Sequence, residues 1–433
     1  MEFLKYINVV INTTTILCST SYYVLKYKCG FTTFNNAVMT ICNSLLPKNY
    51  IFTKIVQWGV QEINDSLYIK NNEELVKYFS TFNNSVPYNS YELQHSLHRL
   101  QDLMSYAKAQ NNELVIESSV PVNSGSVALV FKAQLNGDSV IIKVLRYNMK
   151  NRIENDIHIL MCFFDNILIK KITEYYFVLN FKSFIENIKE SLLTQCDFNN
   201  EINNSLLFKN NLKNNKNIII PYAHKHFTET FDDVIVMEYL NGPIAKNVSL
   251  DKLQPHLKTL QLFFFDSLYR YNILHADFHL GNIIVVDDDT LGVIDFGIVY
   301  ELTSEISDAL FDFMFMLAEL DPTKKSFHKT SCKIVKKCIQ LCCRDEHVYD
   351  LVYKKIINDL QFMEMFKESF SVNRVMIVIK KLMSIQDNVI VLKSKICQLF
   401  LSTLSGIQTM EFVNDGCTLQ TLVRSFINRS VEI

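Results

Sequence analysis

The stretch His275-Ala276-Asp277-Phe278-His279-Leu280-Gly281-Asn282, followed closely by Asp295-Phe296-Gly297, constrains this chain more than any other feature. Between Asn282 and Asp295 lie two apolar runs, Ile283 to Val286 and Leu291 to Ile294, on either side of Asp287-Asp288-Asp289. Short runs of this kind around an acidic turn predict a β-hairpin. Such a hairpin would return Asp295 to the pocket that holds Asn282. Phosphoryl transfer needs a set like this one. One Asp orients or deprotonates the attacking hydroxyl, and an Asn and a second Asp hold magnesium on the phosphates. H-x-D and D-F-G are each short enough to arise by chance. In this order and spacing, with strand, turn and strand between, they point to phosphotransferase chemistry or its vestige.

The chain has 433 residues, enough for two or three lobes. Hydrophobic residues make up 48% of it, so disorder is not the expectation. A net charge of −2 offers no basic surface for nucleic acid. The eleven cysteines form no C-x-x-C pair and read as free thiols of an intracellular, reducing compartment. Cys338 and Cys342 lie one helical turn apart, with Cys343 next, and fit buried positions better than a metal site. Asn doublets at 199–215 read as compositional bias from an AT-rich coding sequence.

Four stretches follow in order. Residues 1–48 include an uncharged run from Tyr6 to Leu25, long enough to cross a bilayer but rich in Asn, Thr and Ser. An apolar helix packed on the protein is the plainer reading, with peripheral membrane contact kept open. Residues 49–118 predict helices, one of which places Leu93, Leu97, Leu100, Met104 and Ala107 on one face.

Residues 119–242 change to a period of two. Asn123-Ser124-Gly125-Ser126 is a small-residue turn that could cover phosphates, and Asn136-Gly137 signals a hairpin. The run Ser139-Val140-Ile141-Ile142-Lys143-Val144-Leu145-Arg146 carries a lone lysine, as in the strand that grips the α- and β-phosphates in kinases. That lysine needs a carboxylate on a helix. A helix expected over 184–210 would place Asp197 and Glu201 on one side, with Glu201 the candidate partner. A solvated acidic face would look much the same. Val234 to Gly242 reads as a strand ending in a linker, where backbone groups at Glu238 and Leu240 could take adenine. Residues 243–433 predict an amphipathic helix from His256 to Tyr271, with Phe263 to Phe265 in the core, and helices from Asp295 to the end.

With these residues in hand, the chain resembles the UbiB family of atypical kinases, linked to ubiquinone biosynthesis and related lipid metabolism. The likeness runs from about Tyr50 to about Leu302. The family's H-A-D-P-H-P-G-N is matched by His275 to Asn282, with Phe278 and Leu280 where the family has proline. Its V-A-V-K-V-Q-R strand, E-x-D-F-x-x-E helix and M-E-x-x-x-G hinge are matched by 141–146, 195–201 and 237–242. Its A-A-A-S phosphate loop corresponds to Asn123 to Ser126. Its K-x-G-Q extension corresponds to Lys54-Ile55-Val56-Gln57, and Gln195 stands where the family has the first acid of E-x-D.

The resemblance implies an α/β, bilobal, protein-kinase-like fold with a helical N-terminal extension and an all-helical C-terminal part. It implies ATP and Mg2+ as cofactors. Lys143 would bind the α- and β-phosphates, Glu201 would position it, Asp277 would orient the nucleophile, and Asn282 and Asp295 would hold the metal. His275 would brace the loop by hydrogen bonding. Lys54 and Gln57 would lie across the nucleotide cleft, leaving room for a lipid-like substrate and not for a peptide. The expected partners are ATP and lipids or lipid-metabolism enzymes. Two alternatives stay open: a nucleotide-binding pseudokinase scaffold, and a small-molecule kinase of the aminoglycoside or choline type, which shares H-x-D-x-x-x-x-N.

Overall fold

A computed structural model of the chain describes residues 18–45, 73–80, 86, 88–164, 189–190, 192–318, 320, 323–360, 362–364, 378, 381–382, 385 and 393–413. In chain order, the first elements are α1 (Phe34–Leu45), α2 (Glu73–Ser80), α3 (Ser90–Ala109), β1 (Leu114–Ile116), β2 (Asn123–Ser124), β3 (Ala128–Leu135) and β4 (Asp138–Leu145). Then come α4 (Met149–Phe164), α5 (Phe198–Asn211), β5 (Ile218–Ile219), α6 (Lys225–Thr230), β6 (Val234–Glu238), α7 (Leu257–Phe265) and β7 (Ile273–His275). The last are β8 (Ile283–Val285), β9 (Leu291–Val293), β10 (Val299–Glu301), α8 (Ser304–Ala318), α9 (Phe327–Cys342), α10 (Tyr349–Ile357) and α11 (Ser394–Val413).

The described residues fall into two compact units. The first comprises those within Met1–Lys171, Ile188–Asn199 and Ala223–Tyr239, and the second those within Ile172–Asn187, Asn200–Tyr222 and Leu240–Ile433. The stretch 119–242 is therefore not one unit. Its residues 200–222 group with the second, where β5 pairs in parallel with β9.

The first unit is built on an antiparallel sheet of order β1-β3-β4-β6, with β2 paired to β3. The hairpin signal at Asn136-Gly137 is borne out: φ values of 54° and 91° make the turn, and Leu135 pairs with Asp138. Along β4 the period of two is visible. Val140, Ile142 and Val144 are buried while Ile141 and Lys143 are half-buried. The buried set packs with Phe131, Phe227 and Val236, and α3 adds Leu100, Leu103 and Ala107 to the same core. Helix α3 begins with a capping box, in which Glu92 N–H donates to Asn89 Oδ1 at 2.9 Å and Asn89 N–H to Glu92 Oε2 at 3.2 Å.

The second unit is built on an aromatic core. Phe208, Phe263, Phe264, Phe265, Phe278, Phe296 and Phe313 are all buried, with Cys338, Cys342 and Cys343 in the same cluster. Eight cysteines, Cys338, Cys342 and Cys343 among them, are free thiols. Strands β8 and β9 form the hairpin expected around Asp287 to Asp289, with Ile283 opposite Val293.

Three expectations need correction. Helix α7 stops at Phe265 and continues as a π-helical turn from Asp266 to Arg270, before Asn272 at φ 54° opens β7. The chain after Asp295 is not wholly helical, because β10 pairs antiparallel with β7; three residues are too few to show a period. The helix expected over 184–210 is broken by a turn. Asp197 N–H donates to Thr194 O at 3.0 Å, and α5 starts only at Phe198. Asp197 therefore stands just before a helix start, the position Asp favours, and does not share a helical face with Glu201.

Residues 18–28 are helical, and the rest of the run from Tyr6 lies outside the described residues. Among the described residues no helix is long and apolar enough to cross a membrane.

Candidate active site

In the second unit, β7 delivers the chain to Asp277, and a short 3-10 turn, Leu280–Asn282, carries it into β8. The β8–β9 register then fixes Asn282 against the end of β9, where Ile294 N–H donates to Asn282 O at 3.1 Å. Asp295 is the next residue. Asn282 and Asp295 are thus adjacent across the hairpin end, as the strand-turn-strand pattern requires.

Hydrogen bonds orient both side chains. Asn282 Nδ2 donates to Asp277 O at 3.0 Å and lies 3.4 Å from Asp277 Oδ2. That engages the amide nitrogen and turns the amide oxygen, the atom a cation would use, the other way. Asp295 Oδ1 accepts from Gly297 N–H at 3.0 Å, which fixes the carboxylate. Among the described residues no cluster of three or more His, Cys, Asp or Glu side chains is arranged for a metal. An Asn oxygen and one carboxylate instead suit magnesium, which keeps several waters and takes its other ligands from phosphates.

His275 is buried, and its Nε2 lies 2.6 Å from Asp295 O. A carbonyl only accepts, so Nε2 carries the proton. Nδ1 is buried with no hydrogen-bond partner. Burial pushes the imidazole pKa below its ordinary value, outweighing the Asp277 carboxylate nearby. A neutral His275 therefore ties the strand before Asp277 to the residue expected to hold the metal.

The motif spacing alone assigns His279 no role. Its Nδ1 accepts from Gly281 N–H at 3.0 Å, so the neutral ring carries its proton on Nε2, 3.6 Å from Asp277 Oδ1. The ring leans over Gly281, where a Cβ would fall 2.7 Å from His279 Cε1. Only glycine admits this arrangement. A second histidine two positions after Asp277 was the available signal.

Phe278 and Leu280 replace the prolines of the resembling family without opening the loop. Phe278 stacks on Phe263 at 5.2 Å between ring centroids and lies 5.5 Å from Phe264. Thr409 Oγ1 on α11 donates to Phe278 O at 3.2 Å.

Helix α5 meets the Asp295 segment from another side. Asn204 Nδ2 donates to Phe296 O at 2.9 Å, and the Phe208 ring lies 5.1 Å from Phe296 and 5.8 Å from His275. Glu201, buried, is three positions before Asn204 and seven before Phe208, hence on the same helical face. Asn204 belongs to the Asn-rich stretch that composition alone had seemed to explain. Leu240 is buried in this unit too, and Gly242 follows at φ 156°, where a Cβ would lie 2.1 Å from Val285 O.

In the first unit, Lys143 sits in β4 opposite Val130 and Ile235, on the face away from the core. Asn123 and Ser124 are strand and not turn, paired to Val130 and Leu129, and the chain reverses over 125–127. Glu238 ends β6 opposite Val140, and Tyr239 N–H donates to Ser139 O at 3.1 Å. Gln195 Oε1 is buried without a hydrogen-bond partner. Lys54 and Gln57 lie outside the described residues. Lys143 belongs to the first unit and Glu201 to the second.

The sheet of the first unit and the loop-and-hairpin of the second define a kinase-like α/β protein. The ABC1 atypical kinase-like domain matches residues 95–328, more than half of the chain, and the chain belongs to that family. This bears out the UbiB resemblance. The chain is 30% identical over 198 residues to "Probable protein kinase UbiB" of Shewanella woodyi, covering 43% of this chain and 35% of that protein. It is 28% identical over 220 residues to "Protein ACTIVITY OF BC1 COMPLEX KINASE 8, chloroplastic" of Arabidopsis thaliana, covering 47% and 28%. The match thus spans about a third of the length of these relatives. A solved structure, the complex of Rv3197 with erythromycin from Mycobacterium tuberculosis, is similar at 15% identity and a TM-score of 0.40, covering 71% of this chain and 78% of that one.

Proposed function

We propose that this chain is an ATP-binding, magnesium-dependent atypical kinase or ATPase that acts in or near lipid, quinone-type metabolism. Magnesium, when bound, neutralises charge on the phosphates. Asn282, through its amide oxygen, and Asp295 hold it. Lys143 takes the α- and β-phosphates, the backbone at Asn123 to Ser126 covers them, and Glu201 positions Lys143. Adenine is taken by backbone groups at Glu238 and Leu240. Asp277 orients the attacking hydroxyl or water, and His275 holds the loop in shape. Lipids and lipid-metabolism enzymes are the proposed partners, in an intracellular reducing compartment with peripheral membrane contact.

The observation that carries this reading is the hairpin end, where Asn282 and Asp295 are adjacent in register and both oriented by hydrogen bonds. Phosphate release from ATP, measured against magnesium with and without membrane lipids, is the test. The expected result is magnesium-dependent release, with no phosphorylation of a generic peptide library. Nucleotide binding without turnover under any lipid condition would leave a pseudokinase scaffold. Efficient peptide phosphorylation would overturn the lipid-like substrate.

A further inference from the structure

Three residues after Lys143, just past the end of β4, stands an arginine to which the function proposed above assigns no role. Arg146 is 3% exposed. A guanidinium removed from water needs its donors satisfied and its charge compensated. Its Nε donates to Gly125 O at 3.1 Å, and one Nη2 donates both to Val86 O at 3.0 Å and to Ser124 Oγ at 2.8 Å. Nη1 pairs with Glu92 Oε2 at 3.2 Å. Ser124 Oγ in turn donates to Val86 O at 2.5 Å, and Val86 N–H to Ser124 O at 2.9 Å. The main chain joins in, as Arg146 N–H donates to Val127 O at 2.9 Å. The small-residue turn is therefore gripped along its length by one residue.

The counter-charge comes from elsewhere. Glu92 is 4% exposed and is the same residue that closes the capping box of α3. Its other oxygen takes Arg152 Nη1 of α4 at 2.7 Å. One carboxylate thus caps a helix, balances a buried arginine and holds a second helix. Val86, Asn89 and Glu92 all precede residue 95, where the family domain begins. The segment that shapes the turn lies outside that domain. A lysine at 146 could not replace the grip, because a single ammonium point cannot reach Gly125 O, Val86 O, Ser124 Oγ and Glu92 together.

We propose that Arg146 is a positioning residue. Clamped by Glu92 at the start of α3, it sets the shape of the 123–127 turn and thereby the affinity for the phosphates of a nucleotide. The second half of this statement rests on the nucleotide reading above, and the first half does not.

The experiment uses the full chain with Arg146→Lys, and with Leu103→Ala as a stability control in the core face of the same helix. Without nucleotide, hydrogen exchange of the 124–127 amides should quicken roughly tenfold in Arg146→Lys while β3 and β4 amides stay protected. By calorimetry, the Kd for Mg-ATP should rise roughly tenfold and that for adenosine by less than about twofold. Leu103→Ala should lower Tm and leave the ratio of the two affinities unchanged. Should Arg146→Lys not fold, Ser124→Ala removes one arm of the grip and should give the same pattern at roughly threefold. Unchanged exchange in the turn, or equal weakening of ATP and adenosine, would overturn the proposal. A wild-type chain that binds neither ligand, with the turn still released in Arg146→Lys, would remove the nucleotide reading and leave the positioning of the turn standing.

Discussion

The turn at 123–127 and the loop at 275–282 are held by opposite means. The first is held by charge: Arg146, Glu92 and Arg152 form a network whose arginine and glutamate at the centre are almost fully buried. The second is held by shape: Phe278 rests on Phe263 and Phe264, and the only buried titratable group beside it in that loop, His275, is held neutral. The difference decides what each can tolerate. A buried ion cluster fails when any one member is removed, because the remainder is an unpaired charge in a poor solvent. A packed aromatic layer accepts another apolar residue of similar volume. In the second loop, Phe278 and Leu280 stand where the resembling family has prolines.

Chemistry and nucleotide binding can be separated at Asp277. Asp277→Asn should lower kcat by about 10²–10⁴ while Mg-ATP affinity stays within about twofold, since an orienting base acts in the transition state. Poor nucleotide binding by this variant, measured by calorimetry, would make Asp277 a metal ligand and merge the two roles.

The contrast between charge and shape can be broken by paired substitutions. Glu92→Met should cost about 3–5 kcal/mol, because an apolar isostere leaves Arg146 unpaired. Phe278→Ala should cost about 3–5 kcal/mol, but Phe278→Met only about 1.5 kcal/mol. Equal penalties for Glu92→Met and Phe278→Met in scanning calorimetry would erase the distinction.

A smaller effect sharpens the view of α5. Asn204→Ala removes the donor to Phe296 O and should cost about 1 kcal/mol in stability. It should also raise the exchange of amides at 295–297. A neutral result in both would mean that α5 supports the Asp295 segment through Phe208 and not through Asn204.

Features that depend on neighbours in sequence were legible before the structure. Asn136-Gly137 fixed one hairpin, and the acidic turn with its flanking apolar runs fixed the other, so the adjacency of Asn282 and Asp295 was readable from spacing. Features set by distant partners were not. Strand β10 exists because β7 offers an edge. Arg146 reads as the last residue of a strand until Glu92, more than fifty positions earlier, is placed beside it. Asn204 was hidden by its surroundings, since one structural asparagine among many compositional ones carries no local signal. The role of His279 needed only the ring's contact with Gly281 to be seen.

The central claim is that Asp295 carries magnesium for a bound nucleotide. Titration calorimetry of ATP into the wild-type chain and Asp295→Asn, each with magnesium and with EDTA, tests it most directly. The account predicts that the wild-type chain binds Mg-ATP, that EDTA weakens binding sharply, and that Asp295→Asn loses more than about tenfold in affinity and most of its response to magnesium. Equal affinity in the two proteins, with the same magnesium dependence, would contradict it.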